Sequence, residues 1–183
     1  PQFSDDNADV SVSAVVNGGT SNVLPFHLLQ YYTEIVAGCG VKGSSTGTVD
    51  AVQAQFDQPV NLAFDNSGNL YIAESGGATV RRLTPGGKVE FVAGSHLSYG
   101  AVDGKGADAK FKYPYDLTVG SDGNIYVADV TNRLIRKVTP DGVVTTVAGV
   151  LNSSTAINGT GTEARILPGS GRSAPCIHRT VHA

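Results

Sequence analysis

The chain of 183 residues lacks methionine and tryptophan entirely, and it contains only two cysteines, Cys39 and Cys176. The cysteines form no CxxC pair, so a structural zinc site with four closely spaced ligands is not predicted. A disulfide between them and two free thiols both stay open. Because not even an initiator methionine is present, we expect the sequence to start inside a longer or processed product.

Long apolar runs are also absent. No segment approaches the ~20 apolar residues that span a bilayer, and the first ten residues lack the basic and apolar regions of a signal peptide. Thirteen basic residues stand against 16 acidic ones, without a basic run, so a nucleic-acid surface is not expected. The composition of 40% hydrophobic residues and 23 glycines is typical of a globular, strand-rich chain.

A segment of 39 residues occurs twice, at 56–94 and again at 111–149, with a constant offset of 55. Fifteen of the 39 aligned positions are identical. Each copy contains four short apolar segments separated by turn residues, which is typical of antiparallel hairpins. The four predicted strands cover 60–64, 69–74, 79–83 and 88–93 in the first copy, and 115–119, 124–129, 134–138 and 143–148 in the second.

The composition of these segments predicts their depth in the fold. The second strand is apolar on both sides, so we expect it to be buried on both faces within a stack of sheets. The third strand carries Arg81, Arg82, Arg136 and Lys137, and we expect it to lie nearer the outside.

The repeat also predicts the domain organisation. Residues 1–32 do not match it and form an undetermined segment, which we interpret as a loop, a degenerate strand pair or a terminus. Residues 33–166 form the repeated domain, starting with a Val-Ala-Gly signature at 36–38 that predicts the last strand of a preceding unit. A third unit begins at 158–166, and residues 167–183 form a divergent tail.

The repeated pattern Gly-Asn-Leu/Ile-Tyr-Ile/Val-Ala-Asp/Glu, followed by Ile/Val-Arg-Arg/Lys-Leu/Val-Thr-Pro and Val-Ala-Gly, resembles the NHL repeat of β-propellers. The resemblance implies an all-β fold, a partial β-propeller with four-stranded antiparallel blades, about two of them complete. Closed propellers need ~4–8 blades. The chain is therefore expected to be a piece of a longer propeller, one of several copies that close a ring, or an open fragment whose apolar end faces associate.

Two acidic residues, Glu74 and Asp129, end the second strand of each copy, and Arg81 and Arg136 follow seven residues later. Asn132 adds an amide in the second copy, where the first has glycine. Such a set could bind a ligand or form an ion pair that orders the blade. Because it occurs in both copies, we favour the structural interpretation and treat these five residues as structural repeat pairs.

Asn152 and Asn158 begin N-glycosylation acceptor triplets in a predicted surface loop. His178 and His182 are four residues apart but lie in a segment without a helical pattern, and His27 and His96 are isolated. We predict no catalytic residues, no metal site and no cofactor.

The sequence therefore predicts a non-enzymatic binding scaffold. Its inter-blade loops, 39–53, 95–108 and 150–164, would present a surface to a protein or another ligand. One alternative, implied by the resemblance, is part of a metal-dependent lyase or lactonase whose catalytic residues lie in other blades. A second alternative is an RNA-binding NHL domain. The sequence leaves the compartment undetermined, with a weak preference for the extracellular side.

Overall fold

A computed structural model of the chain describes residues 9–12, 15–16, 19–20, 24–27, 34–44 and 47–165. The chain divides into two compact units, Pro1–Glu34 and Ile35–Ala183. In the first unit, β1 (Asp9–Val12) pairs antiparallel with β4 (Leu24–His27), and β2 (Val15–Val16) pairs with β3 (Gly19–Thr20). The interpretation of residues 1–32 as a loop, a degenerate strand pair or a terminus stays a prediction. The predicted tail and the histidines at 178 and 182 lie outside the described residues.

The second unit contains two antiparallel sheets of equal design. The first sheet, blade one, consists of β5 (Val49–Asp50), β6 (Pro59–Phe64), β7 (Leu70–Glu74), β8 (Thr79–Leu83) and β9 (Lys88–Gly94). The second sheet, blade two, consists of β10 (Gly104–Lys105), β11 (Pro114–Val119), β12 (Ile125–Asp129), β13 (Leu134–Val138) and β14 (Val143–Gly149). Single 3₁₀ turns occupy Ala51–Gln53, Gly106–Asp108 and Gly161–Glu163.

The strand order is β5-β9-β8-β7-β6 in blade one and β10-β14-β13-β12-β11 in blade two. The four long strands of each blade follow one another as hairpins, which confirms the all-β prediction and its four-stranded antiparallel blades. A two-residue strand from the preceding loop pairs with the fourth strand and adds a short fifth member. The repeat at an offset of 55 is therefore a repeat of whole sheets.

Backbone conformation repeats along with the sequence. Three pairs of non-glycine residues at the same offset have left-handed φ angles: Gln58 and Tyr113, Ala78 and Arg133, and Leu97 and Asn152. Few non-glycine residues adopt this conformation. Its recurrence in both copies shows that the repeat specifies the loops as well as the strands.

The Val-Ala-Gly signature ends the fourth strand at a β-bulge, where the register shifts between Val80 and Arg81 of the neighbouring strand. Gly94 has a φ of +106°, and a Cβ there would overlap the carbonyl oxygen of Ala78, so only glycine fits. The first signature, 36–38, was predicted to be a strand, and this is wrong, because residues 34–38 have no strand assignment. Within the part of the chain that the structure describes, no neighbouring third strand is available to pair with them.

The main core lies between the blades. One face of blade one, with Tyr71, Ala73 and Val80, packs against the facing side of blade two. That side contributes Val127 and Val138. Phe111 and Ala109 of the connecting segment are buried in the same cluster. A smaller cluster on the other face of blade one contains Ile72, Leu83 and Val89, covered by residues of the preceding loop.

One pair of equivalent residues shows how much this packing matters. Leu117 in the first strand of blade two is 4% exposed, whereas its counterpart Leu62 in blade one is 58% exposed. Blade one covers Leu117, and no described residue covers Leu62 to the same extent. The face of blade one that carries Leu62 is thus open to solvent at its first strand, while Ile72, Leu83 and Val89 on the same face are covered by the preceding loop.

The second strand is buried on both faces, as its composition predicts, with Tyr71, Ile72, Ala73 and Glu74 all buried. The expectation for the third strand is wrong for two of its cations. Arg81 and Arg136 are completely buried, because their side chains point into the blade and meet carboxylate and carbonyl oxygens there. Arg82 lies on the opposite side of the strand and is partly exposed.

Candidate binding surface

In blade two the predicted carboxylate and arginine meet in the interior. Asp129 Oδ1 accepts a hydrogen bond of 2.8 Å from the backbone N–H of Lys112, and Oδ2 lies 3.4 Å from Arg136 Nη1. Asn132 Nδ2 donates to Asp129 Oδ2 at 2.7 Å and to the carbonyl oxygen of Gly100. Burial raises the pKa of Asp129 to about 6, against the lowering effect of these donors and of Arg136. These hydrogen bonds connect the end of β12 at Asp129 with the segment at Lys112 before β11 and with the inter-blade loop at Gly100.

Blade one builds the same connection from different residues. Glu74 Oε1 accepts the backbone N–H of Asp57 at 2.8 Å, and Oε2 accepts the hydroxyl of Thr79 at 2.6 Å. Arg81 Nη1 lies 4.0 Å from Glu74 Oε2. Burial raises the pKa of Glu74 more than these donors and Arg81 lower it.

The two carboxylate side chains therefore differ in length, and different side chains donate hydrogen bonds to them. The longer Glu74 reaches Thr79, and a Cβ on Gly77 would come within 3.2 Å of the Thr79 hydroxyl, so blade one has no side chain where blade two has Asn132. The shorter Asp129 is reached by Asn132, and Leu134 stands where blade one has Thr79. This geometry is what an in-blade ion pair requires, and the structural role assigned to the five residues stays a prediction.

The inter-blade loops combine anchored and exposed segments. In the second loop, the N–H of Gly100 donates to the carbonyl of Phe111, and the N–H of Gly106 donates to the carbonyl of Gly142. Leu97 and Val102 in this loop are exposed. Val102 and its counterpart in the third loop, Ile157, are exposed at the same position of the repeat. The loops are held by the blades and expose apolar side chains to solvent.

A cleft of about 460 Å³ opens between the blades at the turns that join their first and second strands. Its lining includes Phe64, Asp65, Asn69, Arg82, Ser121 and Pro140, which come from both blades. Tyr71, which is almost completely buried, also borders it. The lining mixes hydroxyl, amide, charged and aromatic groups, which can bind a ligand that is rich in hydrogen-bonding groups.

The turns at this cleft are fixed by their own carboxylates. Asp65 Oδ1 accepts the N–H groups of Ser67 and Asn69, each at 2.8 Å, and Oδ2 accepts the side-chain amide of Asn69. Burial alone would raise the pKa of Asp65, but the bonds from Asn69 and Ser67, with the charge of Arg82, lower it. In blade two, Asn124 and Tyr126 hydrogen-bond to Asp122 and lower its pKa. Both turns are held by hydrogen bonds to their own carboxylates, and the lowered pKa values keep these carboxylates ionised at neutral pH.

Sequence reasoning did not identify this cleft. Asp65 and Asp122 stand at different positions of the repeat, so alignment of the copies does not pair them. The signal that both turns share is Asn69 and Asn124, each directly after a glycine, and each donating to the carboxylate of its own turn. Without the packing of the blades, nothing in the sequence places the two turns on opposite sides of one cleft.

The remaining candidate residues lie apart. Asn152 and Asn158 are both exposed, and Asn152 is in a left-handed turn conformation. His96 is near Gly77, and Cys39 is an exposed free thiol. Among the described residues, no group of three or more His, Cys, Asp or Glu residues could hold a metal ion. The helical segments within 34–44 and 47–165 are single 3₁₀ turns, and none has the length or apolarity to cross a membrane.

Comparisons with known proteins match this architecture. The family model described as the teneurin NHL domain matches residues 96–160. Teneurin-4 from Homo sapiens is 34% identical over 107 residues, covering 49% of this chain and 4% of teneurin-4. NHL repeat-containing protein 2 from Bos taurus is 32% identical over 123 residues, covering 61% of this chain and 17% of that protein. The chain thus spans only a small part of these relatives.

A solved structure from Bacteroides thetaiotaomicron, described as a protein of unknown function, shares 34% identity with a TM-score of 0.50. The match covers 55% of this chain and 26% of that one. The matched relatives, together with two antiparallel blades that repeat at an offset of 55, establish the resemblance seen in the sequence. The chain is thus similar to NHL-repeat β-propeller proteins, and it contains two complete repeats of this type, 56–94 and 111–149.

Proposed function

We propose that the two blades form a non-enzymatic binding module, and that the cleft between their β6–β7 and β11–β12 turns receives a ligand rich in hydroxyl or amide groups. The observation that supports this most directly is the cleft itself, at about 460 Å³ between two rigid turns. Clefts of roughly 300–1,000 Å³ are usual for small-molecule sites. Because Asp65 and Asp122 hold the turns in place, binding requires little ordering of the protein.

The polarity of the lining indicates the class of ligand. Asp65 is largely occupied by donors of its own turn, and Arg82 Nε donates to Glu90 at 3.0 Å. The charged groups are therefore largely occupied by partners within the protein, and Ser121 and Asn66 remain as polar groups at the rim. A neutral sugar or a peptide backbone would fit such a lining better than a highly charged ligand.

The test uses small probes and one substitution that fills the cleft. Binding of N-acetylglucosamine, maltose and triglycine is measured by saturation-transfer NMR with the full chain at neutral pH. Ser121→Trp should abolish saturable binding, because the indole ring would occupy the cleft. Ser154→Trp is the matched control, since Ser154 is also exposed but lies in the third inter-blade loop.

Saturable binding of at least one probe to the wild type and to Ser154→Trp, but not to Ser121→Trp, supports the cleft. Equal binding to all three proteins, or none to the wild type, contradicts it. Recovery of the bound probe chemically unchanged after long incubation supports a binding role, and its conversion would favour the lyase or lactonase alternative.

A second candidate is docking of a protein partner on the inter-blade loops, as the sequence predicts. Exposed Leu97, Val102 and Ile157 support it, because exposed apolar side chains on a rigid frame are common at protein interfaces. An extracellular location stays part of this proposal, and the exposed acceptor triplets at Asn152 and Asn158 are consistent with it.

A further inference from the structure

Arg81 and Arg136 occupy equivalent places in the two blades. Both are completely buried, and each guanidinium lies over a phenylalanine ring, Phe56 or Phe111, at 5.2 Å from its centroid. Nη1 of each also donates to a backbone carbonyl at the equivalent position, that of Gln55 or Lys110. The ring contact and the Nη1 hydrogen bond are therefore the same for Arg81 and Arg136.

The other edge of the guanidinium differs between the blades. Arg136 Nη2 donates to Asp103 Oδ1 at 2.7 Å and to the carbonyl oxygen of Val102 at 2.9 Å. Arg81 Nη2 has no hydrogen-bond partner among the described residues, whereas Nε is unpaired in both arginines. These two nitrogens lie on one edge of the guanidinium, and their spacing matches the two oxygens of a carboxylate. Leaving donors of a buried charged group unpaired is unfavourable.

The sequence explains the difference. At the offset of 55, the counterpart of Asp103 is Thr48 and that of Val102 is Gly47, so blade one has no acidic side chain at this position. The path of the loop differs as well. Val102 forms an antiparallel bridge with Lys110, whereas the first loop forms a parallel bridge between Lys42 and Phe56.

We propose that the unpaired edge of Arg81 is a binding site for a carboxylate that comes from outside the blade. Blade two provides the template, in which the carboxylate of Asp103 bridges Arg136 and strand β14. Asp103 Oδ1 accepts from Arg136 Nη2 and from Thr146 Oγ1 at 3.0 Å, and Oδ2 accepts the N–H of Thr146 at 3.1 Å. This site is separate from the cleft and does not depend on the proposed function.

Access to the site requires local opening. Arg81 is completely enclosed, so an incoming carboxylate reaches its guanidinium only through a local opening of the protein. Because this opening costs free energy, we expect binding to be weak for a small anion. A free carboxylate and an acidic side chain of a partner protein share this chemistry.

Three versions of the full chain contain different numbers of such sites. The wild type has one, at Arg81. Thr48→Asp supplies the missing carboxylate from the chain itself and leaves none. Asp103→Thr removes the internal carboxylate from Arg136 and creates a second site, with the residue that blade one naturally has.

The melting temperature of each protein is measured at pH 7 in increasing sodium acetate, against sodium chloride at equal ionic strength. We expect a saturable rise of about 2–4 °C in the wild type beyond the chloride control. The rise should be about twice as large in Asp103→Thr, from a lower starting temperature, and should be absent in Thr48→Asp.

A wild-type response no larger than that to chloride overturns the proposal, as does an equal response in the wild type and either variant. If one variant fails to fold, the other still decides between these outcomes. A short peptide with one aspartate, compared with the same peptide containing asparagine, then separates the sources. Tighter binding of the aspartate peptide than of acetate indicates an acidic partner segment, and equal binding indicates a free carboxylate.

Discussion

At the scale of single residues, the buried carboxyl groups make the stability of the blades depend on pH. Burial raises the pKa of Asp129 from 3.8 to about 6, and it raises the pKa of Glu74 as well. A carboxyl whose pKa is raised on folding binds its proton more tightly in the folded state. Its contribution is therefore fully present below about pH 4 and is lost as the pH rises through about 6.

We predict that the free energy of unfolding decreases between pH 4 and pH 6, by at most about 3 kcal/mol from Asp129. Urea denaturation over this range measures the effect. Asp129→Asn should be less stable but should lose most of this slope, and the slope that remains comes from Glu74. The same slope in Asp129→Asn and the wild type would show that Asp129 does not titrate in this window.

Several exposed or partly exposed carboxyl groups act in the opposite direction. The pKa values of Asp65, Asp103, Asp122 and Asp141 are lowered, mainly by hydrogen bonds that outweigh any effect of burial. Their contribution is lost as the pH falls below about 4. We therefore expect maximal stability in mildly acidic solution, between the two effects.

The pairing of carboxylate length with donor position is a second property of individual residues. Glu74→Asp shortens the side chain, so that it can no longer contact both the N–H of Asp57 and the hydroxyl of Thr79. We predict a loss of about 1–3 kcal/mol in the free energy of unfolding, measured by urea denaturation, because a buried donor becomes unpaired.

The double variant Glu74→Asp with Gly77→Asn supplies the shorter carboxylate and the amide donor of blade two, while it keeps Thr79 where blade two has Leu134. It should recover part of this loss, since an asparagine at position 77 can donate to the shorter carboxylate as Asn132 does. Further loss in the double variant would contradict the proposed equivalence of the two networks.

At the scale of elements, the turn between β13 and β14 joins blade two to blade one. A Cβ at Gly142 would overlap the carbonyl oxygen of Val92 in β9, whereas a Cβ at the equivalent Gly87 would meet nothing within 4 Å. Both glycines have left-handed φ angles, +89° and +72°, so alanine causes similar backbone strain at each. A comparison of alanine at the two positions therefore separates the effect of blade packing from the effect of turn conformation on stability.

We predict that Gly142→Ala lowers the free energy of unfolding by at least about 1 kcal/mol more than Gly87→Ala, because overpacking adds to backbone strain. Chemical denaturation of both variants measures the difference. Equal losses would mean that the turn of blade two does not contact blade one in solution.

The strands were predictable from the sequence, and the interior of the blades was not. Turn glycines and prolines fixed the bounds of the eight long strands to within about a residue, because turn chemistry is local. Arg81 looked like a surface residue, since its backbone partner at Gln55 is distant in sequence and the expected pairing with Glu74 did not show that both groups are buried. The segment 34–38 was wrongly predicted as a strand because a strand needs a neighbour as well as a suitable sequence.

The cleft was invisible in the sequence for a related reason. Its two sides, near Asp65 and near Gly120, are 55 residues apart and meet only because the blades pack face to face. The difference between Arg81 and Arg136 could have been noticed, because Thr48 stands where the repeat has Asp103. Its meaning depends on knowing that both arginines are buried.

At the scale of the whole molecule, the packing of one blade on the next defines two kinds of face. Blade two places Leu117 against blade one, and blade one presents the equivalent Leu62 to solvent. Because the two blades are built alike, we infer that the face with Leu62 is a docking face for another blade. An exposed apolar sheet face of this kind favours association.

The mass of the chain in solution tests this central claim most directly. Light scattering over a range of concentrations should show the wild type rising above the monomer mass of 18.8 kDa. Leu62→Asp should stay close to that mass, whereas Leu97→Asp should behave like the wild type, although both leucines are 58% exposed. A wild type that stays monomeric throughout, or equal effects of the two substitutions, would contradict the assignment of this face.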